Sequence, residues 1–258
     1  MKIMKLTLSS LLPVCLFCAG LLVACAEDAT AADDSPGKVS AIQETTPVWA
    51  YLPGTISPEW GAFFSKKGQG RETPMPAPGD LEAWESVQAA NDAAKETAAD
   101  EKAAAFGVTY KESEIAGIPV VEVTPSALSS TDKIAVYTHG GAYVLNSAKA
   151  VIEAAMFFAA ETGLRVIAVD YTLAPLSKWQ ETTDEVINVF KALAEQGFTG
   201  DDIVLYGDSA GGGLAAGVTL KMRDLGMEMP AVLVLWSPWA DISETGDTYV
   251  TLRDAEPY

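Results

Sequence analysis

Four short apolar runs constrain this chain most: Ile134 to Thr138, Val166 to Asp170, Ile203 to Tyr206 and Val232 to Trp236. Each has the length of one buried strand, and none shows the apolar–polar alternation of a strand with one face in water. Between them lie segments of helical period. Ser147 to Thr162 places Val151, Ala155, Phe158 and Ala159 on one face and meets a stop at Gly163. Thr182-Thr183-Asp184-Glu185 reads as a capping box opening a helix through Val186, Phe190 and Leu193, closed by Gly197. Ala210 to Leu225 carries Leu214, Val218, Met222 and Leu225 as its buried stripe. Strands apolar on both faces, separated by helices, predict a mostly parallel sheet covered on both sides, so the class is α/β. Ahead of it, Val108 to Glu114 and Ile118 to Val123 predict a hairpin around Ala116-Gly117.

The start of the chain has a different texture. Lys2 and Lys5 precede an apolar stretch from Leu6 to Val23, and an abruptly polar segment follows Cys25. That order describes a secretory signal over residues 1–24, with a short membrane anchor as the alternative. Leu22-Val23-Ala24-Cys25 resembles the lipobox of bacterial lipoproteins, which implies lipidation at Cys25 and an exported protein held at a membrane of the cell envelope. Cys15, Cys18 and Cys25 are the three cysteines, so a chain processed at Cys25 would have no pair for a disulfide. Residues 25–44 are acidic and rich in Ala, Asp and Ser, as in a flexible tether. Residues 45–107 begin with Pro, Gly and scattered aromatics (Trp49, Trp60, Phe63) and continue into an Ala/Glu/Lys-rich stretch that predicts one or two amphipathic helices. The core is expected over 108–258. A formal net charge of −18 argues against nucleic acid or an anionic surface as partner, since both need basic patches.

The residues that carry chemistry sit where strands end. Gly207-Asp208-Ser209-Ala210-Gly211 follows the run Ile203 to Tyr206 and opens a predicted helix. A serine at so sharp a strand-to-helix turn is pushed outward above the carboxyl edge of the sheet, with the helix amides and dipole beside it. His139-Gly140-Gly141-Ala142 follows another buried run, and consecutive glycines let backbone amides face a cavity. Together with the amide of Ala210, these amides could surround a developing oxyanion.

Four segments in order carry a family resemblance: His139-Gly140-Gly141-Ala142, Asp170-Tyr171-Thr172-Leu173-Ala174-Pro175, Gly207-Asp208-Ser209-Ala210-Gly211-Gly212-Gly213 and Ser237-Pro238-Trp239-Ala240-Asp241. They resemble signatures of the hormone-sensitive-lipase-like family (bacterial esterase family IV) of α/β-hydrolases. The resemblance implies an α/β-hydrolase fold with an N-terminal helical cap over 45–107. It also implies carboxylesterase activity on short acyl esters, without metal or organic cofactor. Carried over, Ser209 is the nucleophile, the amides of Gly140, Gly141 and Ala210 form the oxyanion hole, and His139 braces its loop.

In the family the acid and the general-base histidine follow the nucleophile. Here His139 is the one histidine, and no acid or base is identified after Ser209. Asp208 is read as stabilising the turn and Asp241 as structural. The expectation is an incomplete chain, lacking the last strands and helices, with an exposed edge beside Val232 to Trp236 and at best weak esterase activity. The alternatives are a small-molecule-binding relative that uses the same pocket without turnover, as plant gibberellin receptors do, and a remnant without function.

Overall fold

The computed structural model describes residues 57–59, 75–243 and 245–247. The expected signal at 1–24, Cys25, the tether at 25–44 and most of the aromatic stretch before residue 75 lie outside the described residues. No helix among the described residues is long and apolar enough to cross a membrane.

Two helices come first, α1 (Leu81–Lys95) and α2 (Ala99–Phe106). The hairpin β1 (Val108–Ile115) and β2 (Ile118–Pro125) follows, turning through Ala116 and Gly117 at φ +53° and +77°. Then come β3 (Ile134–Thr138), α3 (Glu153–Thr162), β4 (Arg165–Val169), α4 (Trp179–Glu195), β5 (Ile203–Asp208), α5 (Ser209–Asp224) and β6 (Val232–Trp236). The strands form one sheet in the order β1-β2-β4-β3-β5-β6. β4, β3, β5 and β6 are parallel, while β2 joins β4 antiparallel. This is the mostly parallel, helix-flanked sheet expected from the apolar runs.

The period-2 pleat splits the core in two. On one face Val136, Leu205, Ile167 and Val169 meet Ile187, Phe190 and Leu193 of α4 and Leu214, Val218 and Met222 of α5. On the other, Tyr137, Tyr206, Val166 and Ala168 meet Ala155, Met156 and Ala159 of α3 and Ala103 of α2.

Two element starts differ from expectation. Residues 148–152 form turns rather than the first coils of α3. The cause is local: the Asp170 carboxylate accepts the Ala148 amide at 2.6 Å and Ser147 Oγ accepts that of Ala150 at 3.1 Å. Such polar competition holds amides out of a helix. Conversely, α4 begins at Trp179, ahead of the Thr182 box. Glu181 Oε2 accepts the Lys178 amide at 2.7 Å, and Thr182 Oγ1 is turned inward to Ser177 at 3.0 Å.

Leu205 is fully buried at the centre of the sheet, whereas Leu235, on β6 of the same face, is 37 % exposed. Leu205→Ala should therefore cost about 2–5 kcal/mol, and Leu235→Ala about 1 kcal/mol or less. Urea unfolding of the two variants checks this; equal losses would place the core elsewhere.

Candidate active site

β5 passes into α5 without an intervening loop. Asp208 is still extended, at φ −116° and ψ 149°, and Ser209 takes φ +50° as the first residue of the helix. A non-glycine residue in this region stores roughly 1–3 kcal/mol, so its surroundings must hold it there. They do so by crowding. A β-carbon on Gly211 would stand 2.1 Å from the Thr138 carbonyl oxygen, and one on Gly207 would stand 2.4 Å from that of Gly211. Thr138 Oγ1 donates to Gly211 O at 2.8 Å, and the Trp239 amide donates to Ser209 O at 2.7 Å. The turn is gripped from β3 on one side and from the segment after β6 on the other. Ser209 itself is exposed.

Asp208, beside it, faces β3. One oxygen, Oδ1, accepts the Tyr137 hydroxyl at 2.5 Å and the Gly140 amide at 3.1 Å. Burial, followed by the Asp208 charge, holds the Tyr137 hydroxyl well above its ordinary pKa, so it remains a proton donor to that carboxylate. The Gly140 amide, expected among the oxyanion donors, is therefore committed to Asp208. Among the described residues, Gly141 and Ala142 make no amide hydrogen bond, and Ala210 lies in the first helical turn, where amides lack intrahelical partners. The donor set the geometry leaves is Gly141, Ala142 and Ala210, in place of Gly140, Gly141 and Ala210. The physical reason is competition: a carboxylate is a stronger acceptor than any neutral group nearby.

His139 is fully buried. Its ring stacks on Tyr171 with centroids 4.3 Å apart, and its Nδ1 donates to Gly140 O at 2.9 Å. Nε2 is buried without a hydrogen-bond partner. Burial holds the imidazole pKa below its usual value, partly offset by the Gly140 carbonyl and by Asp170. A neutral ring bonded to its own loop is what this geometry provides.

The segment 170–175 braces the same loop. Tyr171 Oη donates to His139 O at 2.6 Å and the Ala174 amide donates to Tyr143 O at 2.8 Å. Burial raises the Asp170 pKa, the Ala148 amide working against it. Asp241 serves its own turn, accepting the Ser243 amide at 2.8 Å and Thr245 Oγ1 at 2.7 Å. The Ser243 and Thr245 hydroxyls bring its pKa down to about 2.

A cavity of about 310 Å³ adjoins this region, walled by Tyr143, Tyr171, Trp179, Thr182 and Ile242. Tyr143 directly follows Ala142, and its ring lies 6.2 Å from that of Trp179 and 5.9 Å from that of Trp239. A larger cavity, about 400 Å³, is lined by Phe190, Phe198, Ile203 and Met222. It lies at the opposite end of β5 from Ser209, so of these two cavities the smaller is the one near the turn. Among the described residues no group of three or more His, Cys, Asp or Glu could hold a metal ion. Asn146 and Gln88 join the site without having been singled out for it. The contacts between α1 and this loop join residues more than fifty apart in sequence, and only the left-handed tolerance of asparagine hinted at Asn146.

A family described as an alpha/beta hydrolase fold matches residues 135–256. LipR of Mycobacterium tuberculosis (strain H37Rv) is 37 % identical over 149 residues, which is 57 % of this chain and 48 % of LipR. An esterase of Acinetobacter venetianus is 34 % identical over 134 residues, 52 % of this chain and 44 % of that protein. The hormone-sensitive lipase of Ictidomys tridecemlineatus is 33 % identical over 110 residues, 41 % of this chain and 14 % of the lipase. Among solved structures, an esterase/lipase from an uncultured bacterium superposes with a TM-score of 0.67 at 25 % identity, covering 78 % of this chain and 65 % of the other. The chain thus spans half or less of the length of these curated relatives.

Two outcomes follow. Gly211→Ala must displace the end of β3 or the helix, and should lower stability by about 1–3 kcal/mol, measurable by thermal unfolding. For His139 the folded pKa is depressed, so the unfolded chain binds a proton near pH 6.5 that the folded chain refuses. Its contribution to stability is complete above about pH 6.5 and is lost as pH falls toward the folded value. Urea unfolding at about pH 7.5 and about pH 5.5 should show that drop, and His139→Asn should flatten it; an equal drop in the variant would assign it to other groups.

Proposed function

We propose that this chain, which has an α/β-hydrolase fold and is similar over about half of its length or less to hormone-sensitive-lipase-like esterases, acts on carboxylic esters through Ser209. The observation that carries this reading is the strained, exposed Ser209 at φ +50°, seated on the first turn of α5 opposite a glycine loop with uncommitted amides. In this reading Ser209 Oγ attacks the ester carbonyl, the carbonyl oxygen becomes an oxyanion, and the amides of Gly141, Ala142 and Ala210 stabilise it. Collapse of that intermediate expels the alcohol and leaves an acyl-serine, which water hydrolyses. The cavity beside Tyr143 and Trp179 suits a short apolar group. The names of the relatives, esterase and acetyl-hydrolase, support the same substrate class. Export and lipid anchoring at Cys25 complete the proposal: an esterase of the cell envelope.

The proton that leaves Ser209 needs an acceptor. Within these 258 residues His139 is the one histidine, and it is neutral, buried and bonded to Gly140 O. Loss of the histidine from a serine hydrolase costs on the order of 10⁶ in turnover, roughly 8 kcal/mol of barrier. The oxyanion donors and binding alone still provide about 10³–10⁴ over water. A second reading, supported by the cavity beside Tyr143 and Trp179 and by a His139 that is buried and bonded to its own loop, is a protein that binds a small ester or acid and turns it over slowly or not at all.

Hydrolysis of p-nitrophenyl acetate by this polypeptide should accordingly be slow and should vanish in Ser209→Ala. Labelling by a fluorophosphonate should require the same serine. Equal turnover in Ser209→Ala would remove the esterase reading. Tight binding of a short carboxylic acid, retained in Ser209→Ala and measured by calorimetry, would favour the second.

A further inference from the structure

α1 meets the rest of the protein through a stripe that is mostly polar. Trp84, Gln88, Asn91 and Lys95 recur at helical spacing, so they share one face. Trp84 is the one buried residue of the helix. Beyond it, among the described residues, hydrogen bonds reach one loop and its neighbour. Gln88 Nε2 donates to Val144 O at 3.1 Å and to Ala174 O at 3.2 Å. Asn91 Nδ2 donates to Asn146 Oδ1 at 3.1 Å, and Lys95 Nζ donates to the same oxygen.

Asn146 is 8 % exposed and sits at φ +72°, where glycine would be at ease and a side chain needs a reason to stay. Its Nδ2 donates to Gly140 O at 2.8 Å. His139 Nδ1 donates to that same carbonyl at 2.9 Å. Two donors on one carbonyl oxygen fix the plane of its peptide. The peptide is planar and trans, so the N–H on the far side of that plane, belonging to Gly141, is aimed as well. Gly141 is at φ +133°, a conformation with little order of its own. Oxyanion donors work because they are held in place before the charge develops.

We infer that Asn146, loaded from α1 by Asn91 and Lys95, is a positioning residue that aims the Gly141 amide, so that the cap helix is wired to the oxyanion hole. This rests on the esterase reading for its catalytic consequence, but not for its structural one. Removing Asn91 and Lys95 frees Oδ1, the Asn146 amide swings, and the Gly140–Gly141 peptide loses one of its two restraints.

The test uses the 258-residue protein and the variants Asn146→Gly and Asn91→Ala/Lys95→Met. Glycine suits φ +72°, so the first should fold with little change in melting temperature; the second alters only α1. Hydrogen–deuterium exchange by mass spectrometry follows the amides of Gly140, Val144 and Leu145, which are bonded to Asp208 Oδ1, Gly141 O and Gly141 O in the native loop. Both variants should exchange these amides about tenfold faster, with β5 and α5 unchanged. On p-nitrophenyl acetate, kcat should fall about ten- to a hundredfold with KM nearly constant, as expected for a misaimed oxyanion donor. Native exchange in both variants overturns the inference. So does faster exchange with an unchanged kcat. If the parent protein shows no Ser209-dependent turnover, the esterase reading fails separately, and exchange alone decides: faster upholds the wiring, unchanged refutes it.

Discussion

The first turn of α5 lies against the end of β3 so closely that Gly211 has no room for a β-carbon, and much of the site follows from that approach. Because the helix starts there, Ser209 must take a left-handed backbone and stand outside. Because β3 ends there, Thr138 can bond Gly211 O, and the loop that follows must turn away at once. Glycines at 207 and 211 are thus required by space, and the strain at Ser209 is supported by both neighbouring segments.

A second layer of the design is polar and lies above the carboxyl edge. Asp208 ties the glycine loop to β5, Asp170 ties the residues after it to β4, and Tyr171 clamps its first carbonyl. Each carboxylate oxygen or hydroxyl that does this is withdrawn from chemistry. Asp208 lies next to Ser209 in sequence, yet its carboxylate is directed toward Tyr137 and Gly140. Proximity in sequence and participation in the reaction are separate matters here.

The sheet and its order of helices were legible because apolar runs and helical periods are local signals. β6 matches its predicted limits at both ends. The strand-to-helix turn at Ser209 was legible from the apolar run before it, the glycine spacing within it and the helical period after it, although the space that Gly211 must leave is set by Thr138 on β3. What escaped was set by distant partners. Nothing near Gly140 announces that its amide will be taken by a carboxylate in another strand, and so Ala142 was passed over in its favour. The late start of α3 belongs to the same class, as Asp170, at the end of the neighbouring strand β4, takes the Ala148 amide. Gln88 and Lys95 read as ordinary exposed positions on an Ala/Glu/Lys-rich helix until their acceptors are seen.

The crossing order of the sheet also bears on assembly. β3 is flanked by β4 and β5, both of which follow it in the chain, and the Gly140 amide waits for a carboxylate 68 residues downstream. A polypeptide delivered N-terminus first can close the β1–β2 hairpin as soon as it emerges, but it cannot seat the glycine loop until β5 has paired. The glycine loop beside the Ser209 turn is therefore among the last parts to acquire its geometry. A chain interrupted before Asp208 would hold a central strand with one neighbour and a glycine loop with no seat.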